Sequence, residues 1–301
     1  MGGYLEGKAI AVTGAGRGIG RAVALACAAE GARVVVADYG VGMAGEEPTS
    51  DVADGVVKEI ADAGGTAVAV ADTVTTMAGG QRIVQTAIDS WGSIDGVVCV
   101  AGILRERMLF NMSEEEFDPV VETHLKGTFT VFRAASAIMR KQGSGTLVGF
   151  TSGAFAGSVA QANYSAAKGG IVSLVRSAAA GLSRYGVTAN AIAPVARTRM
   201  SANVPMELGE MGEPEDVAPL VVYLLSEQAR HVTGQVYTAV GGKIAVWNQP
   251  TEVRAMYKDG RWTPQEIEAR LDSTVGQERM ALIDRLEAMR QAAAAGDRPN
   301  A

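Results

Sequence analysis

The order of secondary structure in this chain follows from the stretch KAIAVTGAGRGIGRAVALACAAEGARVVVAD, residues 8–38. The apolar run 8–13 predicts a buried strand, the glycines after it predict a turn, and the Ala-rich segment that follows predicts a helix. A second strand at 33–37 ends at Asp38. Strand, glycine turn, helix, strand and acid in this order are typical of a dinucleotide-binding site.

The glycine turn indicates which residues contact the cofactor. Glycines let the backbone approach a pyrophosphate, whose charge is stabilised at a helix N-terminus. Asp38 lies about 20 residues further on, where a carboxylate can bind ribose hydroxyls and repel a 2′-phosphate. The pattern therefore predicts NAD in preference to NADP, although an arginine in the turn would weaken that preference. The alternative is a glycine turn selected only for tight packing. We expect cofactor contacts at Gly14, Arg17, Gly18, Ile19, Gly20 and Asp38.

Strands and helices alternate along the rest of the chain. The apolar runs predict further strands at 66–71, 95–100, 145–151, 186–193 and 235–240, with helices between them. Strands that are apolar on both faces indicate a parallel sheet covered by helices on each side. We therefore predict an α/β fold with a doubly wound, Rossmann-type sheet of seven strands at 1–243, and a helical C-terminal extension at 244–301.

In such a sheet, ligands bind at the carboxyl ends of the strands. Asp72 follows one strand and is expected to bind the adenine amino group, or else to cap the next helix or turn. The other strand ends where we expect cofactor contacts are Ala101, Gly102 and Pro194.

A hydroxyl, a phenol and an amine occur together in SGAFAGSVAQANYSAAK, residues 152–168. Tyr164 and Lys168 are four residues apart and share one face if the segment is helical. An ammonium beside a phenol lowers the phenol pKa from about 10, so that it can exchange a proton with an alcohol or carbonyl oxygen. Ser152 can bind the same oxygen. The alternative is an ordinary helix with a packed tyrosine and a solvated lysine, and the nucleotide-binding pattern argues against it.

Composition excludes several classes of function. The chain has 301 residues, 48% hydrophobic residues and a formal net charge of -6, which argues against nucleic-acid or anionic-membrane partners. Cys27 and Cys99 are expected to be buried free thiols, and His124 and His231 are isolated, so we predict no metal site. The sequence contains no run long enough to span a membrane, no secretory signal and no peroxisomal address, so we expect a cytoplasmic protein.

The tail from residue 244 is charged and helical in pattern. Thr263 followed by Pro264 predicts a helix start. A later apolar stripe is expected to pack on the core, join a dimer or cover the substrate site, and it consists of Leu282, Ile283, Leu286 and Met289.

These motifs resemble the short-chain dehydrogenase/reductase family. The resemblance extends over nearly all of residues 6–242 and depends on TGAGRGIG, Asp38, Ser152 and the YSAAK of 164–168. Within the family, AGILRERM, HLKGTF, QANYSAAK and PEDVAPLVVYL are most similar to the (3R)-hydroxyacyl-CoA dehydrogenase domains of peroxisomal multifunctional enzymes. The resemblance implies an NAD-linked oxidoreductase that acts on a small molecule or acyl-CoA and forms a homodimer or homotetramer.

The resemblance also implies a role for each site residue. Tyr164 is the acid/base, Lys168 lowers its pKa and binds the nicotinamide ribose, and Ser152 polarises the substrate oxygen. His124 stands where the wider family usually has Asn. It is expected to hold a water or kink its helix so that protons pass from Lys168 to solvent, or else to be a structural histidine. Thr198 is the candidate for the nicotinamide amide.

Two features leave alternatives open. Cys99-Val100 replaces the Asn-Asn that is usual in the family, so a brace between the central strands is missing. That change is the only support for a catalytically silent NAD sensor or scaffold. The favoured substrate is a (3R)-3-hydroxyacyl-CoA, including one with a bulky or steroid-derived acyl chain, and the alternative is a hydroxysteroid or other secondary alcohol. The arginines that would meet CoA phosphates, or simply stay solvated, are Arg105, Arg107, Arg197 and Arg199.

Overall fold

The chain forms two compact units in the computed structural model, Met1–Trp247 and Asn248–Ala301. The structure describes residues 3–41, 48–197, 211–276 and 279–294. The first unit contains one eight-stranded sheet in the order β3-β2-β1-β4-β5-β6-β7-β8. The strands are β1 (Ala9–Thr13), β2 (Arg33–Ala37), β3 (Thr66–Val70), β4 (Gly96–Cys99), β5 (Gly145–Phe150), β6 (Val187–Pro194), β7 (Val236–Val240) and β8 (Lys243–Val246).

Strands β1 to β7 are parallel, and β8 pairs antiparallel with β7. The helices of this unit are α1 (Gly18–Ala29), α2 (Asp51–Asp62), α3 (Met77–Trp91), α4 (Glu114–Val121), α5 (Gly127–Gln142), α6 (Ala162–Leu182) and α7 (Ala218–Leu225). The strand order reverses between β1 and β4, and this is the position where doubly wound sheets bind ligands. The predicted α/β fold class is confirmed.

Both faces of the sheet are buried, which explains the continuous apolar runs of its strands. In β1, Ile10 and Val12 pack in one cluster with α1, α2 and α7, whereas Ala11 packs in the other with α3, α5 and α6. This alternation follows from the two-residue period of a strand. The sheet thus separates two apolar layers and brings all the parallel strand ends to one edge.

The sequence pattern predicts seven strands, and the eighth is a correction to that prediction. This strand, Lys243–Val246, lies on the sheet edge and extends three residues past the predicted boundary between 243 and 244. Gly241 and Gly242 make a two-residue hairpin loop, and the φ of Gly241 is +49°. Ile244 and Val246 are 60% and 61% exposed, so this edge strand lacks the apolar pattern of a buried one.

One long helix is predicted from near Ser113 to about Lys141, but the structure divides it. A π-helical turn, Glu122–Lys126, separates α4 from α5. The start of α4 agrees with prediction, because Ser113 and Glu116 form a capping box. The interruption falls on the turn that contains His124.

In the second unit, α8 (Pro264–Thr274) and α9 (Ala281–Ala294) are helical. The predicted cap-then-proline start is confirmed, because Thr263 Oγ1 accepts from Glu266 N at 3.3 Å and Glu266 Oε2 accepts from Thr263 N at 2.8 Å. Over the described ranges of both units, no helix is long and apolar enough to cross a membrane.

Candidate active site

The glycine turn lies against the end of β4. Gly14 has a φ of +63°, and a Cβ at this position would lie 2.7 Å from Ala101 Cα. A Cβ on Gly20 would lie 2.0 Å from the oxygen of Gly14. Only glycine fits these two positions without a backbone shift. Helix α1 begins at Gly18, and Ile19 packs on the core beside it, so the turn leads directly into a helix N-terminus.

Asp38 lies beside this turn at the end of β2. Its Oδ2 accepts from Gly16 N at 2.8 Å, and its Oδ1 accepts from Gly40 N at 2.8 Å. A Cβ on Gly16 would lie 2.8 Å from Asp38 Oδ2, so the glycine lets the carboxylate lie directly against the backbone of the turn. Arg17 is exposed on the same turn. A glycine cradle, a helix N-terminus and a carboxylate in this arrangement fit a dinucleotide.

The ends of β1 and β4 are linked at the position where the usual Asn is replaced. The Cys99 side chain makes a hydrogen bond with Thr13, and Thr13 Oγ1 accepts from Ala101 N at 3.4 Å. Burial raises the pKa of the Cys99 thiol, so the group is neutral. The contact of Cys99 with Thr13 therefore lies between β4 and β1, where the usual Asn would brace the central strands.

Asp72 has a partner that the sequence does not indicate. Arg82 of α3 binds both carboxylate oxygens, with Nη2 donating to Oδ1 at 2.9 Å and Nε to Oδ2. Thr73 N also donates to Oδ1, at 2.7 Å. These donors hold the pKa of Asp72 below its ordinary value, with the Arg82 hydrogen bonds as the main cause. This ion pair gives both oxygens of the Asp72 carboxylate a hydrogen-bond donor from the protein itself.

Of the two residues predicted in the loop after β6, Pro194 ends that strand at the same edge of the sheet. Thr198 lies outside the described residues, and so does Arg199. Arg197 pairs with Glu213 at 3.3 Å.

Lys168 is held by the end of β5. Its Nζ donates to Phe150 O at 2.6 Å, and Thr151 Oγ1 donates to Lys168 O at 2.8 Å. Nζ lies 5.4 Å from the centroid of the Tyr164 ring, so the two side chains share one face of α6, as the four-residue spacing predicts. Lys168 is 4% exposed, and burial lowers its pKa to about 7.

Ser152 lies beside Tyr164, and its hydroxyl acts to lower the pKa of the phenol. The Tyr164 side chain keeps partial exposure, yet its dense surroundings raise the pKa of the phenol above 10, and the Ser152 hydroxyl opposes that rise. This corrects the expectation that Lys168 lowers the phenol pKa. The same desolvation acts on the amine, which is only partly protonated near neutral pH and so contributes less positive charge.

The His124 ring lies between Gly102 and Tyr164. Its ring meets that of Tyr164 edge-on, with centroids 5.1 Å apart. Nε2 lies 2.8 Å from Ile103 O and 3.1 Å from Ile103 N, so its tautomer decides which atom it bonds. A Cβ on Gly102 would lie 2.1 Å from His124 Cε1, so the imidazole needs glycine there.

The electrostatic state of His124 follows from its surroundings. Burial and the nearby Lys168 lower the pKa of His124 well below 6.5, so the ring is neutral. Nδ1 is buried and has no hydrogen-bond partner among the described residues. The π-helical turn around His124 is consistent with the predicted distortion of its helix.

Asn163 is a site residue that the sequence reasoning missed. It is fully buried, and its Nδ2 donates to Arg105 O at 2.9 Å and to Glu116 O at 2.7 Å. Its Oδ1 accepts from Tyr164 N at 2.7 Å. This amide thus joins the loop after β4 and helix α4 to the first turn of the catalytic helix. Its only signal in the sequence was its position next to Tyr164.

The same loop is held at further points. Arg107 N donates to Ala160 O at 2.8 Å, and Arg107 Nε donates to Glu116 Oε1 at 2.9 Å. Gln161 Nε2 donates to Glu106 Oε1 at 2.5 Å. Arg105 Nη1 donates to Leu104 O at 2.9 Å. Arg105 and Arg107 therefore lie in a loop that is bonded to the segment just before Tyr164.

Together these residues form one site at the carboxyl edge of the sheet. The glycine turn and Asp38 lie on one side of the end of β4, and Ser152, Tyr164, Lys168 and His124 lie on the other. Among the described residues, no group of three or more His, Cys, Asp or Glu side chains is arranged to hold a metal. The site can bind a dinucleotide and present a phenol and a hydroxyl to one oxygen.

Known proteins are similar to this chain in sequence and in fold. A family model described as enoyl-(acyl carrier protein) reductase matches residues 14–243. The chain is 41% identical over 305 residues to hydroxyacyl-CoA dehydrogenase ChsB1 of Mycobacterium tuberculosis, an alignment that covers 95% of each protein. It is also 41% identical over 267 residues to mouse peroxisomal multifunctional enzyme type 2, covering 87% of this chain and 36% of that protein.

A solved structure agrees with these relatives. The crystal structure of a short chain dehydrogenase from Mycobacterium avium is 48% identical in sequence, with a TM-score of 0.83 over 92% of this chain and 97% of that one. Sequence, fold and site geometry lead to one conclusion. This chain belongs to the short-chain dehydrogenase/reductase family and is an oxidoreductase that acts on CH–OH groups with a nicotinamide cofactor, NAD or NADP.

Proposed function

We propose that the protein catalyses the reversible, NAD-dependent oxidation of a (3R)-3-hydroxyacyl-CoA to the 3-oxoacyl-CoA. The observation that carries this proposal is the placement of Ser152 and Lys168 beside Tyr164, with the Lys168 amine 5.4 Å from the centroid of the tyrosine ring. Two relatives with matching sequence are named for hydroxyacyl-CoA dehydrogenation and peroxisomal multifunctional activity, and they support the substrate class.

The chemistry follows from the site. Burial favours the neutral phenol, so Tyr164 acts as the base in its minor phenolate form. In that form it takes the proton of the substrate hydroxyl, and Ser152 donates a hydrogen bond to the same oxygen as charge develops. A bound nicotinamide cofactor supplies the hydride acceptor. The glycine turn and Asp38 hold the dinucleotide. Lys168, with a pKa of about 7, exchanges protons readily near neutral pH and can restore the protonation state of Tyr164.

The surface beside the substrate loop supports an apolar acyl group. Leu109 and Phe110 are 71% and 78% exposed and follow the loop that Asn163 holds. Such side chains offer contact area to a hydrocarbon chain.

The test is a screen for NADH formation by the purified protein. The substrates are (3R)- and (3S)-3-hydroxyacyl-CoAs of short, long and steroid-derived acyl chains, beside free hydroxysteroids. We expect turnover with the (3R) thioesters and none in a Tyr164→Phe blank. Oxidation of free hydroxysteroids alone would replace the proposed substrate with the alternative one. NAD binding without oxidation of any alcohol would favour a silent sensor or scaffold.

We propose that Asp38 makes NAD the preferred cofactor, because its carboxylate repels a 2′-phosphate. Asp38→Asn keeps the side-chain shape and removes the charge. The ratio of kcat/KM for NAD over NADP should then fall by about tenfold, which corresponds to about 1.4 kcal/mol. Asp54→Asn, an exposed position on α2, is the matched control. An unchanged ratio in Asp38→Asn would refute this assignment.

We also propose a homodimer or homotetramer, as membership of the family suggests. Phe117 on α4 and Phe129 on α5 are 37% and 45% exposed and provide apolar area for a second copy. Light scattering on the purified protein measures the mass. The mass of a single chain at micromolar concentration would contradict the assembly.

A further inference from the structure

Trp247 is fixed to the edge of the sheet at two points. Its backbone N donates to Val236 O at 2.9 Å, continuing the pairing of β8 with β7. Its indole Nε1 donates to Thr238 Oγ1 at 2.8 Å. Val236 and Thr238 are two residues apart, so their side chains lie on one face of the sheet. The indole therefore lies on that face in a defined orientation.

The indole contacts the turn that follows Ser152. The centroids of the Trp247 and Phe155 rings are 4.6 Å apart, and the ring planes meet at 61°. Aromatic pairs favour such an edge-on arrangement. Phe155 belongs to the 3₁₀ turn Gly153–Ala156, and its backbone N donates to Ser152 O at 2.9 Å. Ser152 Oγ also accepts from Ala154 N at 3.2 Å. Contacts thus run without a gap from β7 to Ser152.

The turn packs on α6 and carries one large side chain. Phe155 is that side chain in the sequence GAFA, and Gly157 follows with a φ of 111°. A 3₁₀ turn of this length has poor hydrogen-bond geometry and little stability of its own. The aromatic contact with Trp247 therefore adds an anchor from the sheet edge to the packing on α6.

We propose that Trp247 is a positioning residue, which packs on Phe155 to hold the turn that carries Ser152 and so keeps the Ser152 hydroxyl beside Tyr164. This inference rests on the proposed function for its catalytic consequence. Its structural part does not require a substrate, because the contact of Ser152 with Tyr164 exists in the protein itself.

The experiment titrates Tyr164 directly. Protein labelled with ¹³C at tyrosine Cζ is followed by NMR across pH, and Tyr164→Phe assigns the resonance. The Ser152 hydroxyl lowers the pKa of Tyr164, so Trp247→Ala should raise that pKa, by roughly half to one unit. Turnover should fall roughly tenfold, less than the 10²–10³ typical of losing an oxyanion donor outright. The KM for NAD should stay within about twofold, because the glycine turn is untouched.

Two milder variants separate the contacts. Trp247→Phe keeps an aromatic ring against Phe155, so the pKa of Tyr164 and the turnover should stay close to those of the parent. Thr238→Val removes only the acceptor of the indole N–H and should give a smaller shift in the same direction. These variants decide the matter if Trp247→Ala does not fold. In a Ser152→Ala background, Trp247→Ala should cause no further change in the pKa of Tyr164, because the two residues act through one contact.

Trp91→Ala is the matched control, because Trp91 packs on the same core at the far end of α3. It should lower thermal stability and leave Tyr164 unchanged. The inference is overturned if Trp247→Ala, like the control, lowers thermal stability and leaves the pKa of Tyr164 unchanged. It is also overturned if the variant changes only the KM for long acyl chains, which would make Trp247 a wall of the substrate site. If no alcohol is oxidised by the parent protein, the proposed function fails, and the titration of Tyr164 still decides the role of Trp247.

Discussion

The Nζ atom of Lys168 lies 5.4 Å from the centroid of the Tyr164 ring, one turn along α6, and donates to Phe150 O at 2.6 Å. Burial moves the pKa of the amine down to about 7 and that of the phenol upward. The two shifts have one cause, since the charged form of each group loses hydration. Lys168 is thereby tuned to gain and lose a proton near neutral pH.

The burial of Lys168 predicts a pH-dependent cost in stability. Between pH 7, its approximate pKa in the folded protein, and 10.5, its ordinary value, the unfolded state binds more protons at this site. The free energy of unfolding therefore rises with pH in that window. The buried charge of Lys168 lowers stability most below about pH 7, and this cost is relieved as pH rises towards 10.5. Lys168→Met removes the titration, so its stability relative to the parent should be greatest below about pH 7 and decline above it.

Urea unfolding at several pH values measures this difference, and each unit of pKa shift corresponds to about 1.4 kcal/mol. Lys58→Met, in which an exposed lysine is replaced, should show no such trend. Lys168→Met should also lose nearly all turnover. A stability difference that stays constant with pH would show that the amine is not desolvated as described.

His124 should affect turnover more than cofactor binding. The ring is neutral and packs on Tyr164, while the glycine turn that holds the dinucleotide has no hydrogen bond to it among the described residues. His124→Ala is expected to lower kcat by about tenfold or more, within the range for groups that assist proton transfer. NAD affinity, measured by calorimetry, should change by less than about threefold.

His124→Asn supplies the conservative variant, because Asn is the residue that the wider family usually has here. It should recover part of the turnover that His124→Ala loses. Equal losses of kcat and NAD affinity in His124→Ala would assign the histidine a structural role.

Asn163 should be needed for catalysis as well as for stability. Asn163→Asp preserves the shape but replaces the amide donor to Arg105 O and Glu116 O with an oxygen. Unpaired buried groups cost about 1–3 kcal/mol, so the melting temperature should fall. The loop and Tyr164 should also separate, and kcat should fall by about tenfold or more, because small displacements of a catalytic group reduce rate strongly.

Asn190→Asp is the control for this prediction. Asn190 is equally buried, donating to Val232 O at 2.8 Å and accepting from Gln235 N at 3.1 Å, away from the site. The Asn190→Asp variant should be less stable than the parent but should keep its kcat when it is assayed well below its melting temperature. Parallel changes in kcat for both variants would indicate a general loss of structure.

Local patterns were sufficient to predict the parts of this protein that depend on neighbouring residues. The order from β1 to Asp38, the shared face of Tyr164 and Lys168 and the cap at Thr263 follow from period, glycine content and spacing. The close approach of Gly14 to Ala101 was not predicted, because it depends on the pairing of β1 with β4.

Features that depend on distant partners could not be read from the sequence. Arg82 reaches Asp72 from the next helix, and Trp247 reaches Phe155 from an edge strand whose apolar pattern is weak. The pKa of Tyr164 was assigned the wrong direction, because spacing gives the distance to Lys168 but not the desolvation that both groups share.

The central claim is that the phenol of Tyr164 is the proton acceptor of this site. Tyr164→Phe removes one oxygen and keeps the ring that packs on His124. The most direct test compares NAD affinity and alcohol oxidation in this variant and the parent. We predict NAD affinity within about twofold and a loss of turnover of about 10²-fold or more. Oxidation at the parent rate by the pure variant would contradict the account.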